Sequence, residues 1–393
     1  MTSIETLARR VQGRRHMPEL QALRGLAALV VVLHHCTFYY ANAPGLRLAA
    51  ERAFNGHGAV VLFFVLSGFV LALSLQPAGT GRATPAGYLL RRGFRIYPML
   101  WCAVGLALGY AALFHDVPLA PSVAAQWWQP GFRELPDLPG LVKSLLGVGT
   151  RLPLPIWTLR IELVGSCLLP PLVWLSLRRP RWFVGVLALS LVAPLVAGDR
   201  LYLVPLYLCG FAVGAALVPL SGRLATWRRG GVGLIAGGAL VLWFGRLAVA
   251  GHYEVDYHNA AAVLLETFAA AALILGIHLR PEAVAILKWP ALVWLGDISY
   301  SLYLVHMPVL GLVAGVGTDL LRLPVMTGDP RLATLVVTLA VLVVSLPLSA
   351  LAYRTVEVPM MVLGKRLAAC WQPRRAEAGR AAGEVAATTA EPL

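Results

Sequence analysis

Arg24 and His35 lie inside an apolar run that extends from Leu20 to about Tyr40. A hydrophobic helix keeps ionisable side chains where a partner, a wet cavity or a reaction requires them, so each marks a candidate functional site. Eleven residues of α-helix advance roughly 16 Å and close to three whole turns, which puts Arg24 and His35 on one face about 20° apart. His34 points roughly 80° away from Arg24. One face therefore carries a cation near a membrane surface and, deeper in, an imidazole suited to general-base work. The plainer reading has Arg24 reaching to lipid headgroups and His35 making a helix-packing hydrogen bond.

Other polar residues fall within apolar runs. Glu162, in Trp157-Thr158-Leu159-Arg160-Ile161-Glu162, must be protonated, paired or wet, and a structural ion pair and a catalytic role are both open. Arg92 and Arg95, at i and i+3 in Arg91-Arg92-Gly93-Phe94-Arg95, share a helix face, and their guanidinium forks suit phosphate oxygens as well as lipid headgroups. In the segment from Gly296 to His306, Ser299, Tyr303 and His306 form one stripe, which either bonds neighbouring helices or lines a substrate cavity. Ser67 and Gly68 read as helix-packing residues, and Tyr353 to Pro359 as a capped helix end.

The elements that position these groups are transmembrane helices. Hydrophobic residues make up 58% of the 393 and charged residues 13%, and the mean hydropathy of +0.72 excludes a soluble domain. Ten apolar runs, at about 20–40, 57–76, 96–115, 156–177, 182–197, 201–219, 231–250, 258–279, 291–318 and 332–352, predict an all-α polytopic bundle. The fifth is short and the ninth carries polar residues throughout. With a cytoplasmic N-terminus, 22 of the 33 Lys and Arg residues fall on the inside and 8 outside, and Arg24, Arg160 and Arg246 lie within spans. That asymmetry predicts N-in and C-in, and it accounts for the net charge of +14 through anionic lipid without nucleic acid. The expected organisation is a basic N-terminus over 1–18, a transmembrane domain over 19–365 and a cytoplasmic, mostly disordered tail over 366–393. The first run reads as a retained anchor, and the cysteine spacing points to neither disulfide nor zinc. Trp127, Trp128 and Trp157, in and beside the long loop from Asp116 to Pro155, are candidates to cover an outer mouth and stack on sugar; interfacial anchoring is the other reading.

Five stretches, taken in order, resemble the membrane acyltransferase-three family, bacterial proteins that O-acylate sugars of surface polysaccharides, lipid-linked glycans, Nod factors and some antibiotics. They are Glu19 to Gly25 with Arg24 and His35 separated by ten residues, Phe63 to Phe69, Arg92-Gly93-Phe94-Arg95, Trp157 to Glu162, and Ser299 to His306. The resemblance implies an acyl-CoA donor, acetyl-CoA foremost, reached from the cytoplasm, with a sugar-containing acceptor and no metal. It further implies that Arg24 and His35 lie at the centre of the reaction and that Arg92 and Arg95 lie near the donor. The doubled His34-His35 departs from the pattern, and the spacing favours His35. On this reading His35 is general base toward a sugar hydroxyl, or carries the acyl group itself, and Arg24 meets the polar end of the donor. Tyr300, or Ser299 or Tyr303, stabilises the oxyanion, and Glu162 or Asp297 orients His35. Trp157, Ser299, Tyr303 and His306 are expected to contact the acceptor. The expected location is the inner membrane. A transporter or flippase with a buried Arg/His site is the alternative class, although the chain has no convincing inverted repeat.

Overall fold

The computed structural model describes residues 17–40, 44–76, 84–120, 128, 130–149, 152, 155–197, 203–250 and 258–370. In chain order the elements begin with α1 (Pro18–Tyr39), α2 (Pro44–Ala53), α3 (Gly56–Leu75), α4 (Pro85–Phe114), a 3-10 turn (Pro130–Arg133), α5 (Leu138–Leu145) and α6 (Ile156–Arg178). There follow α7 (Pro180–Ala197), α8 (Val204–Arg223), α9 (Gly230–Ala250), α10 (Ala260–Leu279) and a 3-10 segment (Pro281–Lys288). The last elements are α11 (Pro290–Asp297), α12 (Ser299–Ala314) with a π-helical turn (Gly315–Leu320), α13 (Pro324–Thr327), α14 (Pro330–Ala352), a second π-helical turn (Tyr353–Glu357) and α15 (Val358–Cys370). No strand occurs among the described residues. Among them nine helical stretches are long and apolar enough to cross a membrane, and α7 is a shorter apolar helix. The chain is a multi-pass, all-α membrane protein.

Helix starts follow local chemistry. Asn55, Thr84, Asp137 and Asn259 each accept the backbone N–H three residues on, and Asp329 accepts that of Arg331, so otherwise orphaned donors are satisfied. Proline in the first turn of α1, α4, α11 and α14 fits its fixed φ. Trp174, Trp182, Leu189 and Val343 are exposed, as side chains facing lipid are.

Three expectations need correction. The third span starts at Pro85, well before position 96, so Arg91, Arg92 and Arg95 belong to its helix. The ninth is broken: α11 ends at Asp297, and α12 restarts at Ser299, whose hydroxyl donates to the Gly296 carbonyl at 2.7 Å. The chain does not cap at Tyr353; the π-helical turn carries α14 into α15, giving one helical stretch from Pro330 to Cys370. The position expected to begin the tail, 366, lies inside α15, and residues 371–393 fall outside the described ones.

Small residues set the central crossings. A Cβ at Gly25 would lie 2.5 Å from the Gly296 backbone nitrogen, so α1 and α11 touch backbone to backbone. That contact brings Gln21 to Asp297, with Nε2 donating to Oδ1 at 2.9 Å. Gly68 and Gly214 do the same for α3 and α8: a Cβ on Gly214 would reach within 2.9 Å of the Gly68 Cα. Against this frame α12, the most buried span, packs between α1, α4 and α14.

At the end of the bundle opposite the start of α1, the loop after α4 is pinned by buried charge. Arg133 pairs with Asp319, donates to the Tyr110 hydroxyl at 3.0 Å and to the Val117 carbonyl at 2.6 Å. Asp319 also accepts the Ala120 N–H at 2.9 Å. The π-helical turn, marked by the Leu321 N–H donating to the Val316 carbonyl, carries Asp319. Trp128 is fully buried here and donates to Tyr110 at 3.0 Å, so it is an anchor of this loop and not a stacking surface; Trp127 lies outside the described residues. Asp319→Asn leaves the Arg133 charge without its counter-ion, and a loss of about 3–5 kcal/mol is expected, read as a fall in thermal midpoint in detergent. Arg133→Met with Asp319→Leu should recover much of that loss, which a purely local packing role for Asp319 would not produce.

Candidate functional site

Between the start of α1, α4, α6, the α11–α12 break and α15 lies a cavity of about 540 Å³. Arg24, Arg91, Arg92, Arg95 and Lys365 line it, against the carboxylates of Glu162 and Asp297. Arg24 enters from α1 and donates to Gln21 Oε1 at 3.4 Å, so it is linked through Gln21 to Asp297. Arg92 is ion-paired with Glu162 and donates through Nε to Ser166 Oγ at 3.1 Å, while Ser67 donates to Glu162 Oε2 at 3.2 Å. Ser67 thus holds a carboxylate as well as allowing close packing. The Arg95 guanidinium sits 3.1 Å from Glu357 Oε1 and 5.8 Å from the Tyr300 ring centre. Glu357 is buried, and its other oxygen accepts from Ser301 at 2.8 Å. The residue expected to end a helix is instead the counter-ion of Arg95.

The hydroxyls expected at the reaction face this cavity in different states. Ser299, Tyr300 and Tyr303 all line it. Ser299 donates to the Gly296 carbonyl, and Tyr300 donates to the Ile96 carbonyl at 2.8 Å, which ties both to backbone. Tyr303 meets Thr158 Oγ1 at 2.9 Å; Thr158 donates its own proton to the Pro155 carbonyl at 2.6 Å, so the Tyr303 hydroxyl is the donor to Thr158.

Beyond Tyr303, whose ring lies 5.8 Å from that of His306 and 5.9 Å from that of Phe63, stands a histidine pair. His35 Nδ1 and His306 Nε2 are 2.8 Å apart, with the ring planes within 5°. His306 Nδ1 is 3.2 Å from the Leu302 carbonyl, an acceptor only, so this nitrogen carries hydrogen. With both imidazoles neutral, His306 Nε2 is the acceptor, His35 Nδ1–H the donor, and the lone pair of His35 lies on Nε2. The group on His35 Nδ1 is therefore His306, a residue expected to contact substrate, whereas Glu162 holds Arg92 and Asp297 holds Gln21. His34 plays another part: it is buried, lies 3.3 Å from the Phe54 carbonyl, and packs where a Cβ on Gly56 would strike its ring.

A second polar cluster lies outside the residues that the sequence marks as candidates. His57, Arg246 and Glu266 are fully buried, with His57 Nδ1 donating to Glu266 Oε2 at 2.6 Å and Arg246 Nε to Glu266 Oε1 at 2.9 Å. His57 Nε2 lies 2.6 Å from the Tyr207 hydroxyl, which lies 2.8 Å from His258 Nδ1. Asn55 adds a bond to Glu266 at 3.0 Å. Trp157 belongs to this cluster, 5.1 Å from the Tyr207 ring and 5.7 Å from that of His258, and it meets the cavity wall through Phe64. The signal was present: Arg246 and Glu266 are charged residues within apolar runs, as Arg24 is.

Comparisons with known proteins bear on the family of the chain. A family model described as an acyltransferase domain matches residues 17–354. "Protein 2 in picA locus" of Rhizobium radiobacter is 35% identical over 92 residues, which is 23% of this chain and 44% of that protein. The match thus spans less than half of that relative's length. No solved structure matches the chain. With the family model covering most of its length, including α1 and the histidine pair, the chain belongs to the acyltransferase-three family of membrane acyltransferases.

Proposed function

We propose that this acyltransferase moves a short acyl group from acyl-CoA to a hydroxyl of a sugar-containing acceptor, from within the cytoplasmic membrane and with both termini inside. The carrying observation is the His35–His306 pair beside a cationic cavity. A polyanionic donor is attracted to a cavity whose cations outnumber its carboxylates in a low-dielectric wall. The neighbouring imidazole has its lone pair directed away from its partner, as a general base requires.

The acceptor O–H proton passes to His35 Nε2 as the oxygen attacks the thioester carbonyl. His306 receives the hydrogen bond from His35 Nδ1 and holds the ring in the base tautomer, the part that Glu162 or Asp297 was expected to play. The tetrahedral intermediate collapses with cleavage of the C–S bond, and the departing thiolate takes the proton back from Nε2. Tyr303 is the best-supported oxyanion donor, because it stands next to His306 and its proton is held by a hydroxyl and not by a carbonyl. Tyr300, donating to Ile96 under the Arg95 guanidinium, supports the donor side, as does Ser299. Arg24, Arg92 and Arg95 meet the phosphates and pantetheine arm, Glu162 fixes Arg92, and Trp157 borders the acceptor.

Removing the base while preserving the fold should cost roughly 10²–10⁴-fold in turnover. His35→Ala is expected to lose that much thioester consumption in a protein that still folds, with only a modest fall in thermal midpoint from the orphaned His306 Nε2; His34→Ala should retain turnover but lower the midpoint, because its role is packing. The opposite pattern would put the wrong face of α1 in the site. Arg92→Gln leaves Glu162 without its counter-ion, so the test pairs the changes. Arg92→Gln with Glu162→Gln should regain stability yet bind donor roughly tenfold more weakly, whereas recovery of donor binding would assign Arg92 a structural role alone. His35 is eighteenth in a 22-residue helix, toward the end opposite the cationic cavity. Right-side-out proteoliposomes loaded with acyl-CoA should therefore acylate an impermeant acceptor supplied outside. Activity confined to conditions where both substrates share the inner face would overturn the transmembrane part of the reading.

A further inference from the structure

The cations of the cavity come from three helices, α1, α4 and α15. Arg92 and Arg95 face Glu162 and Glu357, and Arg24 is joined to Gln21. Arg91 and Lys365 come from α4 and α15 and line the same cavity. Arg91 precedes Arg95 by about 6 Å along α4, and Lys365 follows Glu357 by about 12 Å along the last helix, both toward the same end of the bundle. The seam between these helices is tight. A Cβ on Gly364 would come 2.6 Å from the Phe94 Cβ, and one on Gly87 would sit 3.7 Å from the Ala368 Cβ and 3.6 Å from Arg91 Nη1. The seam thus holds the helices that carry the two cations together on one side of the cavity.

Like charges held together across a rigid seam repel, and an anion between them turns that repulsion into attraction. The CoA reading supplies such an anion. Besides its diphosphate, CoA ends in a ribose 3′-phosphomonoester, which as a monoester carries about −1.5 to −2 charge near neutrality. We propose that Arg91 and Lys365 form a clamp for this 3′-phosphate, so that the enzyme selects acyl-CoA over acyl carriers lacking it. The inference rests on the acyl-CoA reading of the cavity. Lys365 lies beyond residue 354, where the family match ends, so this half of the clamp is not part of the matched domain.

An anionic lipid headgroup offers the same phosphate chemistry, and the experiment separates the two. Full-length protein in nonionic detergent is titrated calorimetrically with CoA and with 3′-dephospho-CoA, and its bound phosphatidylglycerol is quantified. Wild type should bind CoA roughly tenfold more tightly or better. Arg91→Gln with Lys365→Gln should erase that preference by weakening CoA binding, with far less effect on 3′-dephospho-CoA. Arg91→Lys with Lys365→Arg, which keeps both charges, should retain most of the preference. An unchanged preference in the Gln double variant, or equal weakening of both nucleotides, overturns the clamp while leaving CoA as the donor. Loss of phosphatidylglycerol with the nucleotide preference intact assigns the two cations to lipid and likewise overturns it. Failure of wild type to bind either nucleotide overturns the donor reading and the clamp together. Should the Gln double variant not fold, Lys365→Gln alone decides: a reduced preference supports the clamp and an unchanged one overturns it.

Discussion

Among the described residues, four guanidinium–carboxylate pairs lie within the bundle, and each joins two of its elements. Arg92 to Glu162 links α4 with α6, and Arg95 to Glu357 links α4 with the last helix. Arg133 to Asp319 fastens the loop after α4 to the end of α12, and Arg246 to Glu266 fastens α9 to α10. Each pair replaces water that both charges would otherwise need, so its value lies less in net stability than in permitting only those helix rotations that bring the partners together. Removing one partner is the costly change, because the remaining charge stays buried.

The same constraint shapes the cavity. Cations already held by carboxylates and hydroxyls do not have to be gathered when a donor enters, so little reorganisation is left for binding. Backbone contact at Gly25 and Gly296 fixes the rotation of α1 against α11, and the Gln21–Asp297 bond locks it, which sets the direction in which Arg24 points. Farther along α1, the contact with α12 brings His35 onto His306. One crossing thus orders two functional levels of a single helix.

Periodicity and hydropathy carried the class of fold, the location of the apolar runs and the facing of Arg24 into the bundle, because these depend on residues close in sequence. What they could not carry was pairing. Glu162 meets Arg92 from 70 positions away, Glu357 meets Arg95 from the far end of the chain, and which acid meets which base depends on helix tilt and rotation that no local pattern encodes. The break at Ile298 had a signal in Gly296 and Asp297, but the two π-helical turns had none, and the second hid Glu357 behind the appearance of a helix end. Trp128 illustrates a different limit: an aromatic residue in a polar loop reads as surface until a partner such as Tyr110 buries it.

The continuity of α14 into α15 bears on what the family boundary means for this chain. The matched domain stops at residue 354, inside the second π-helical turn, while Glu357 and Lys365 follow it. A boundary drawn from family resemblance therefore cuts through a cavity wall and separates Arg95 from its counter-ion. The last turns of helix are thus an integral part of the cavity wall and not an appendage to it, since they supply both the counter-ion of Arg95 and the lining residues Met361 and Lys365.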